Sequence, residues 1–155
     1  MTYTIPDEPT PTAQAKLAVR PMWPLFALMF VNTGISWLWF LANGFFQGSP
    51  YLKKEIGWII VGLLGSTLAV FAIIAAFSQG IIDNTTIPYL LIVLTVWKLA
   101  ISYKVFELQN RSFELFEYYQ ETISNGAIPF IAMVIVFQQF SLLQLLPSFI
   151  FLVLR

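Results

Sequence analysis

Three long stretches of this chain carry no charged residue at all: Pro21 to Leu52, Ile56 to Ile82 and Thr122 to Leu154. A bilayer's hydrocarbon core, about 30 Å thick, is crossed by about 20 apolar helical residues, and each run exceeds that length. A helix on a water-soluble domain must turn a polar face to solvent, which such runs do not supply. The chain therefore reads as a polytopic, all-α membrane protein. Only 10% of its 155 residues are charged, against about 25% in soluble domains.

Composition closes several functional classes. The chain has no Cys and no His, which removes disulfides, thiolate nucleophiles, Fe–S ligation, the usual haem ligand and the usual proton shuttle near neutrality. No cofactor or metal motif is present in what remains. Eight basic residues balance eight acidic ones, so nucleic acid finds no electrostatic footprint; the lipid bilayer is the expected partner. Residues 1–20 read as a disordered tail, since Pro6, Pro9 and Pro11 among Thr and acidic residues deny it helix and core. Asp7 and Glu8 precede Lys16 and Arg20, the reverse of a signal peptide's basic start, so the first apolar run is expected to remain as an anchor.

Residues 21–155 are expected to form one domain of four transmembrane helices. The first runs over about 22–46, entered through Pro21 and Pro24 and left through Gly48, Ser49 and Pro50. The second covers about 56–77, and its Gly62, Ser66, Ala69 and Ala76 place small side chains at helical spacing, as helix packing in lipid favours. The third opens at Ile87-Pro88, spans 87–106, and continues as an amphipathic extramembrane segment to 123. The fourth covers about 127–154, with Pro147 expected to kink it. Four crossings put both termini on one side, with three basic residues there (Lys16, Arg20, Arg155) against four opposite (Lys53, Lys54, Lys104, Arg111). Connectors one and three are assigned to the cytoplasm on that small difference.

Lys98 is the sharpest anomaly, because a lysine at a membrane helix centre costs about 2.5 to 3.5 kcal/mol on insertion scales. Two readings stand: a charge in a cavity that binds an anionic headgroup or a carboxylate, or a stem that snorkels toward Lys104 and Glu107. Gln138, Gln139, Asn32 and Asn43 join Lys98 as a candidate polar path, with interhelical hydrogen bonding as the plainer alternative. Trp37 and Trp39 lie deep enough to read as aromatic packing. In the segment 104–123, Leu115, Phe116 and Tyr119 share an apolar side and are candidate partner contacts, to be covered by the bundle, a second copy or another membrane protein. Glu114, Glu117 and Glu121 have the spacing of a cation site but sit on an exposed helix face, a poor cage for Ca²⁺ or Mg²⁺.

The order of these features resembles small four-pass bacterial inner-membrane proteins of unassigned activity. It rests on an aromatic first helix ending at Asn43-Gly44-Phe45, a Lys53-Lys54 connector, a small-residue second helix, Ile87-Pro88, a polar stretch with Gln109, and Asn125-Gly126. The resemblance implies four helices in a bacterial cytoplasmic membrane and carries no site. The expected function is that of a non-enzymatic accessory or structural subunit of a membrane assembly, as a homo-oligomer or with a membrane-protein partner; the alternative is a small transporter or channel component using Lys98 and the amides.

Overall fold

A computed structural model describes residues 12–119 and 123–140, with the isolated positions 9 and 153; side chains are described for these except at 119 and 138–140. Among the described residues the chain is helical throughout, with a 3-10 turn at Ala15–Leu17 and five α-helices: α1 Met22–Phe30, α2 Thr33–Gln47, α3 Leu52–Ser78, α4 Ile87–Tyr119 and α5 Ala127–Phe140. Two of them, α3 and α4, are long and apolar enough to cross a membrane. That is two rather than the four expected. The part of the fourth expected span beyond Phe140, with Pro147, lies outside the described residues.

The first expected helix, 22–46, is broken in two. Val31 leaves helical geometry at φ −115° and ψ −83°, and Asn32 is fully extended. The Asn32 side chain then accepts a hydrogen bond from the Ile35 amide at 2.9 Å, capping α2 as an N-cap asparagine does. Ser36 Oγ donates to the Pro24 carbonyl at 2.7 Å, so α2 runs back along α1. With 9 and 15 residues, the two helices measure about 13 and 22 Å at 1.5 Å per residue, and neither spans the core alone.

Gly48 ends α2 in the left-handed region, at φ 64°, as glycine does most cheaply. Helix α3 then starts at Leu52, earlier than expected, and takes in Lys53, Lys54 and Glu55. An acid in a helix's first turn meets the positive end of the peptide dipoles. Gly80, at φ 72°, closes α3, and Asp83 accepts hydrogen bonds from the hydroxyls of Thr85 and Thr86. Those bonds hold its carboxyl below the usual aspartate range and shape the turn into α4.

Helices α3 and α4 pack antiparallel along two buried stripes with three- and four-residue spacing. On α3 the stripe is Glu55, Ile59, Gly62, Ser66 and Val70; on α4 it includes Leu94, Lys98, Ile101, Val105, Gln109 and Phe116. Trp37 of α2 completes the centre, packed with Phe40, Ile59, Ile101 and Val105, and its indole donates to Ser102 Oγ at 2.8 Å. The small residues of α3 thus serve the chain's own packing: Gly62 and Ser66 are buried and Ala69 half-buried, with Ala76 also half-buried nearer the helix end. A β-carbon at Gly62 would lie within 2.8 Å of both Ile101 and Trp37.

The expected disordered tail is also corrected where it is described. Ala18 and Val19 are buried, and Ala18 packs with Phe113 and Phe116 of α4. Helix α4 continues unbroken to Tyr119 over 33 residues, about 50 Å, as the extended third helix was expected to do. Its apolar side needs cover, and the tail supplies it. The α4 end, the tail, the start of α3 and the start of α5 consequently gather at one end of the molecule, with the 79–86 turn at the other.

The α3 stripe makes a direct prediction. Gly62→Val should destabilise the protein by about 1–3 kcal/mol through overpacking, whereas Gly57→Ala, with open space around it, should be neutral or stabilising by up to about 1 kcal/mol. Thermal unfolding in detergent micelles measures both; equal midpoints would contradict this packing.

Candidate functional site

Two polar sites are built into the interior, and neither is on a loop. The first centres on Glu55, whose residue is fully buried. A carboxyl in such a place needs donors for both oxygens. Ser49 Oγ donates to Oε1 at 2.6 Å and Gln109 Nε2 donates to Oε2 at 2.7 Å. The same Gln109 nitrogen donates its second hydrogen to the Phe40 carbonyl at 2.5 Å. Its oxygen accepts from Asn43 Nδ2 at 3.3 Å, and Asn43 Oδ1 accepts from the Val19 amide at 2.8 Å. One continuous network thereby ties the tail, α2, α3 and α4.

Close approach at Gly44 makes the network possible, since a β-carbon there would collide with Glu55 Oε2 and crowd Gln109 and Leu52. Ser112 Oγ lies 3.2 Å from Ser49 Oγ. Gln47, at the same end of α2, is buried with no hydrogen-bond partner for either amide atom among the described residues, a rare state for a buried amide. The network excludes solvent from its carboxyl, so its chemistry is that of a clasp between helices.

The second site surrounds Lys98. The residue is 5% exposed and lines a cavity of about 320 Å³ with Leu28, Met29, Thr33, Thr95 and Leu99. This cavity lies where α1 stops and α2 begins, partway along α4. Thr95 Oγ1 donates to the Leu91 carbonyl at 2.8 Å. Lys98 thus faces the protein's interior at the break in the first apolar run.

The other sequence candidates fall apart into separate roles. Asn32 caps α2 and Asn43 belongs to the Glu55 network, so neither shares the Lys98 cavity; the side chains of Gln138, Gln139 and Tyr119 lie outside the described residues. Phe116 is fully buried by the chain's own Phe113 and Ala18, while Leu115 is exposed. Phe116 is therefore unavailable to a partner in this conformation, because the tail already occupies that face. Of the carboxylates considered as a cation site, Glu117 pairs with Arg20 at 2.6 Å and Glu114 accepts from Asn110; Glu121 lies outside the described residues. Lys104 and Arg111 both pair with Glu107 along α4, at three- and four-residue spacing.

Sequence reasoning missed Glu55, Ser49, Ser112 and Gln47. Glu55 beside Lys53 and Lys54 reads as a connector residue, and its one distinguishing signal is position: it begins the three- and four-residue series that runs through Ile59 and Gly62. No known protein family, curated protein or solved structure matches the chain.

Removing the shared donor should be costly. Gln109→Leu leaves Glu55 Oε2 buried without its donor and removes the tie from α4 to the Phe40 carbonyl, at about 1–3 kcal/mol for the buried acceptor. Asn110→Leu, whose amide bonds only the exposed Glu114, should change stability by no more than about 0.5 kcal/mol. Denaturant unfolding of the two variants distinguishes a clasp from an incidental contact; equal losses would refute the clasp.

Proposed function

We propose that this chain is an integral membrane protein, a non-enzymatic accessory subunit of a membrane assembly in a bacterial cytoplasmic membrane. The observation that carries the membrane part is the outward orientation of the apolar side chains. Only 22% of the most apolar stretch of α3 and 28% of that of α4 are buried, whereas the core helix of a soluble protein is mostly buried. Ile60, Leu64, Leu68 and Phe71 on α3, and Ile92, Val93 and Val96 on α4, face outward. Polar groups such as Glu55, Gln109, Asn43 and Ser49 lie inside, bonded to one another. That inversion suits lipid as solvent.

In this reading α3 and α4 cross the membrane and α1–α2 is a re-entrant hairpin, entering and leaving at one face. Among the described residues this arrangement carries a charge bias that the four-crossing one lacks. Lys16, Arg20, Lys53, Lys54, Lys104 and Arg111 all belong to the end that carries the tail and the start of α3, while the 79–86 turn has Asp83 and no basic residue. The positive-inside rule then puts the tail end in the cytoplasm.

The accessory role rests on a groove along the outer side of α3 and α4, about 450 Å³ in volume, lined by Gly65, Ala69, Ala72, Leu90, Val93 and Trp97 among others. The chain's own Trp97 covers Gly65, but Ala72 is exposed, and a small side chain there lets a second transmembrane helix approach closely. This surface takes over the partner role first assigned to Phe116.

Two measurements test the proposal. Cysteines introduced at Ala13, Lys53 and Tyr118 should label from the cytoplasmic face and one at Asn84 from the opposite face; labelling of 13 from the side of 84 would refute the re-entrant hairpin, and labelling of 53 or 118 from that side would refute the crossings of α3 and α4. Ala72 is exposed, so Ala72→Trp should leave the fold intact yet reduce copurification of a membrane partner at least about tenfold, the effect of losing close helix approach. Undiminished copurification would remove the groove from the interface.

A further inference from the structure

Among the described residues Glu55 forms no ion pair, although it is fully buried. Facing its carboxyl are Gly44 of α2, Leu52 of α3, Gln109 of α4 and Ser49 of the connector between α2 and α3, all uncharged. The charged groups of the surrounding elements are turned elsewhere. Helix α2 has none, and Lys53 and Lys54 of α3 and Lys16 of the tail are exposed. Arg20 of the tail pairs with Glu117, and Lys104 and Arg111 pair with Glu107. Glu114 accepts from Asn110, and Lys98 lines its own cavity. Buried carboxylates ordinarily sit beside a cation or a metal ion. Here a proton is the counter-charge that fits without displacing a neighbour.

The hydroxyls beside Glu55 let that proton come and go. Ser49 Oγ donates to Glu55 Oε1 at 2.6 Å, accepts from the Tyr51 amide at 3.2 Å, and lies 3.2 Å from Ser112 Oγ with either atom able to donate. Ser112 Oγ in turn donates to the Gln109 carbonyl at 3.2 Å. A hydroxyl has one hydrogen that rotates and two lone pairs, so two complete bonding schemes exist. With the carboxylate ionised, Ser49 donates to Oε1 and Ser112 donates to the carbonyl. With the acid formed, Oε1 donates to Ser49, Ser49 donates to Ser112, and Ser112 keeps the carbonyl. Gln109 Nε2 donates to Oε2 in both, and no hydroxyl hydrogen is left unpaired.

We propose that Glu55 is a reversible proton-binding site, loaded through Ser49 and held in its neutral form by the Ser49–Ser112 relay. Ser49 is 7% exposed, against 0% for Glu55 and 1% for Ser112, so solvent meets the relay at Ser49. Hydronium gives a proton to Ser49 Oγ as that hydroxyl's own hydrogen passes to Oε1; water is released, Ser49 remains a hydroxyl and the carboxylate becomes the acid. Neither scheme requires a helix to move. The site therefore stores a proton without opening the clasp, a property that goes beyond the accessory role and does not depend on it.

The test is infrared titration of the full chain in detergent micelles, following the protonated-carboxyl stretch that is present in the wild type and absent in Glu55→Gln. One such band should titrate within the pH range over which the chain stays folded, with thermal unfolding midpoints alike on either side. Ser112→Ala removes an acceptor that only the acid form needs, so it should weaken proton binding about tenfold, moving the titration midpoint about one pH unit lower. Ser78→Ala, whose exposed hydroxyl bonds the Ala75 carbonyl, should leave the midpoint in place. Absence of a band lost in Glu55→Gln would overturn the site, and an unmoved or raised midpoint in Ser112→Ala would overturn the relay. A wild-type unfolding midpoint that drops as the band appears would show that protonation opens the clasp, which also overturns the proposal. Should Ser112→Ala fail to fold, Glu55→Gln decides: its amide donates to Ser49 as the acid would, so a folding equilibrium more than about tenfold below that of the wild type in its acid form contradicts the relay.

Discussion

The amide of Gln109 is the joint on which the arrangement of helices depends. Its two hydrogens go to the Phe40 carbonyl and to Glu55, and its oxygen accepts from Asn43. One side chain on α4 therefore fixes the register of α2 and α3 together. Apolar packing between helices in lipid lacks the drive that water supplies, so Leu, Ile and Phe contacts alone tolerate sliding by a turn. A bonded carboxyl and amide do not, because a shift that separates them leaves each unpaired inside the protein. The network also reaches the tail through the Val19 amide, which sets Ala18 over Phe113 and Phe116.

This arrangement also explains which parts of the fold were legible in the sequence. The apolar lengths of the second and third spans pointed to α3 and α4 almost directly, since length and hydropathy are properties of one segment. The continuation of α4 to Tyr119 was legible from the segment alone too, as no Gly or Pro interrupts it. The apolar side of that continuation was only partly legible. Val105 and Phe116 are buried as the helical period suggests, but Leu115 is exposed while Gln109 and Ser112 are inside. A polar residue counts as outward in any periodicity argument until its buried partner is known, and the partner of Gln109 lies on another helix.

The break at Asn32 was hidden for a different reason. Averaged over a span-length window, Val31, Asn32, Thr33 and Gly34 are diluted by apolar neighbours, and the first run looks like one crossing. The local signal is an asparagine followed by Thr and Gly, a helix-start pattern whose physical basis is the side chain's bond to an amide three residues on. Length favoured one helix and capping favoured two. Capping prevails because α2 gains a site on α4 that a straight helix would not reach, with Trp37 bonded to Ser102.

A helix interrupted inside a membrane core is sustainable only where protein surrounds the break and its backbone groups find partners. Here the amides of Val31 and Asn32 both donate to the Ala27 carbonyl, the Ser36 amide donates to the Asn32 carbonyl, and the Ile35 amide donates to the Asn32 side chain. The same requirement draws polar residues to this depth, and Thr33 and Lys98 meet around one cavity there. Lys98 considered along α4 alone is a charge with a desolvation cost and a choice between snorkelling and function. Considered with the break beside it, Lys98 lines the cavity that opens where α1 stops and α2 begins, and the hairpin that interrupts the first apolar run supplies part of its walls through Leu28, Met29 and Thr33.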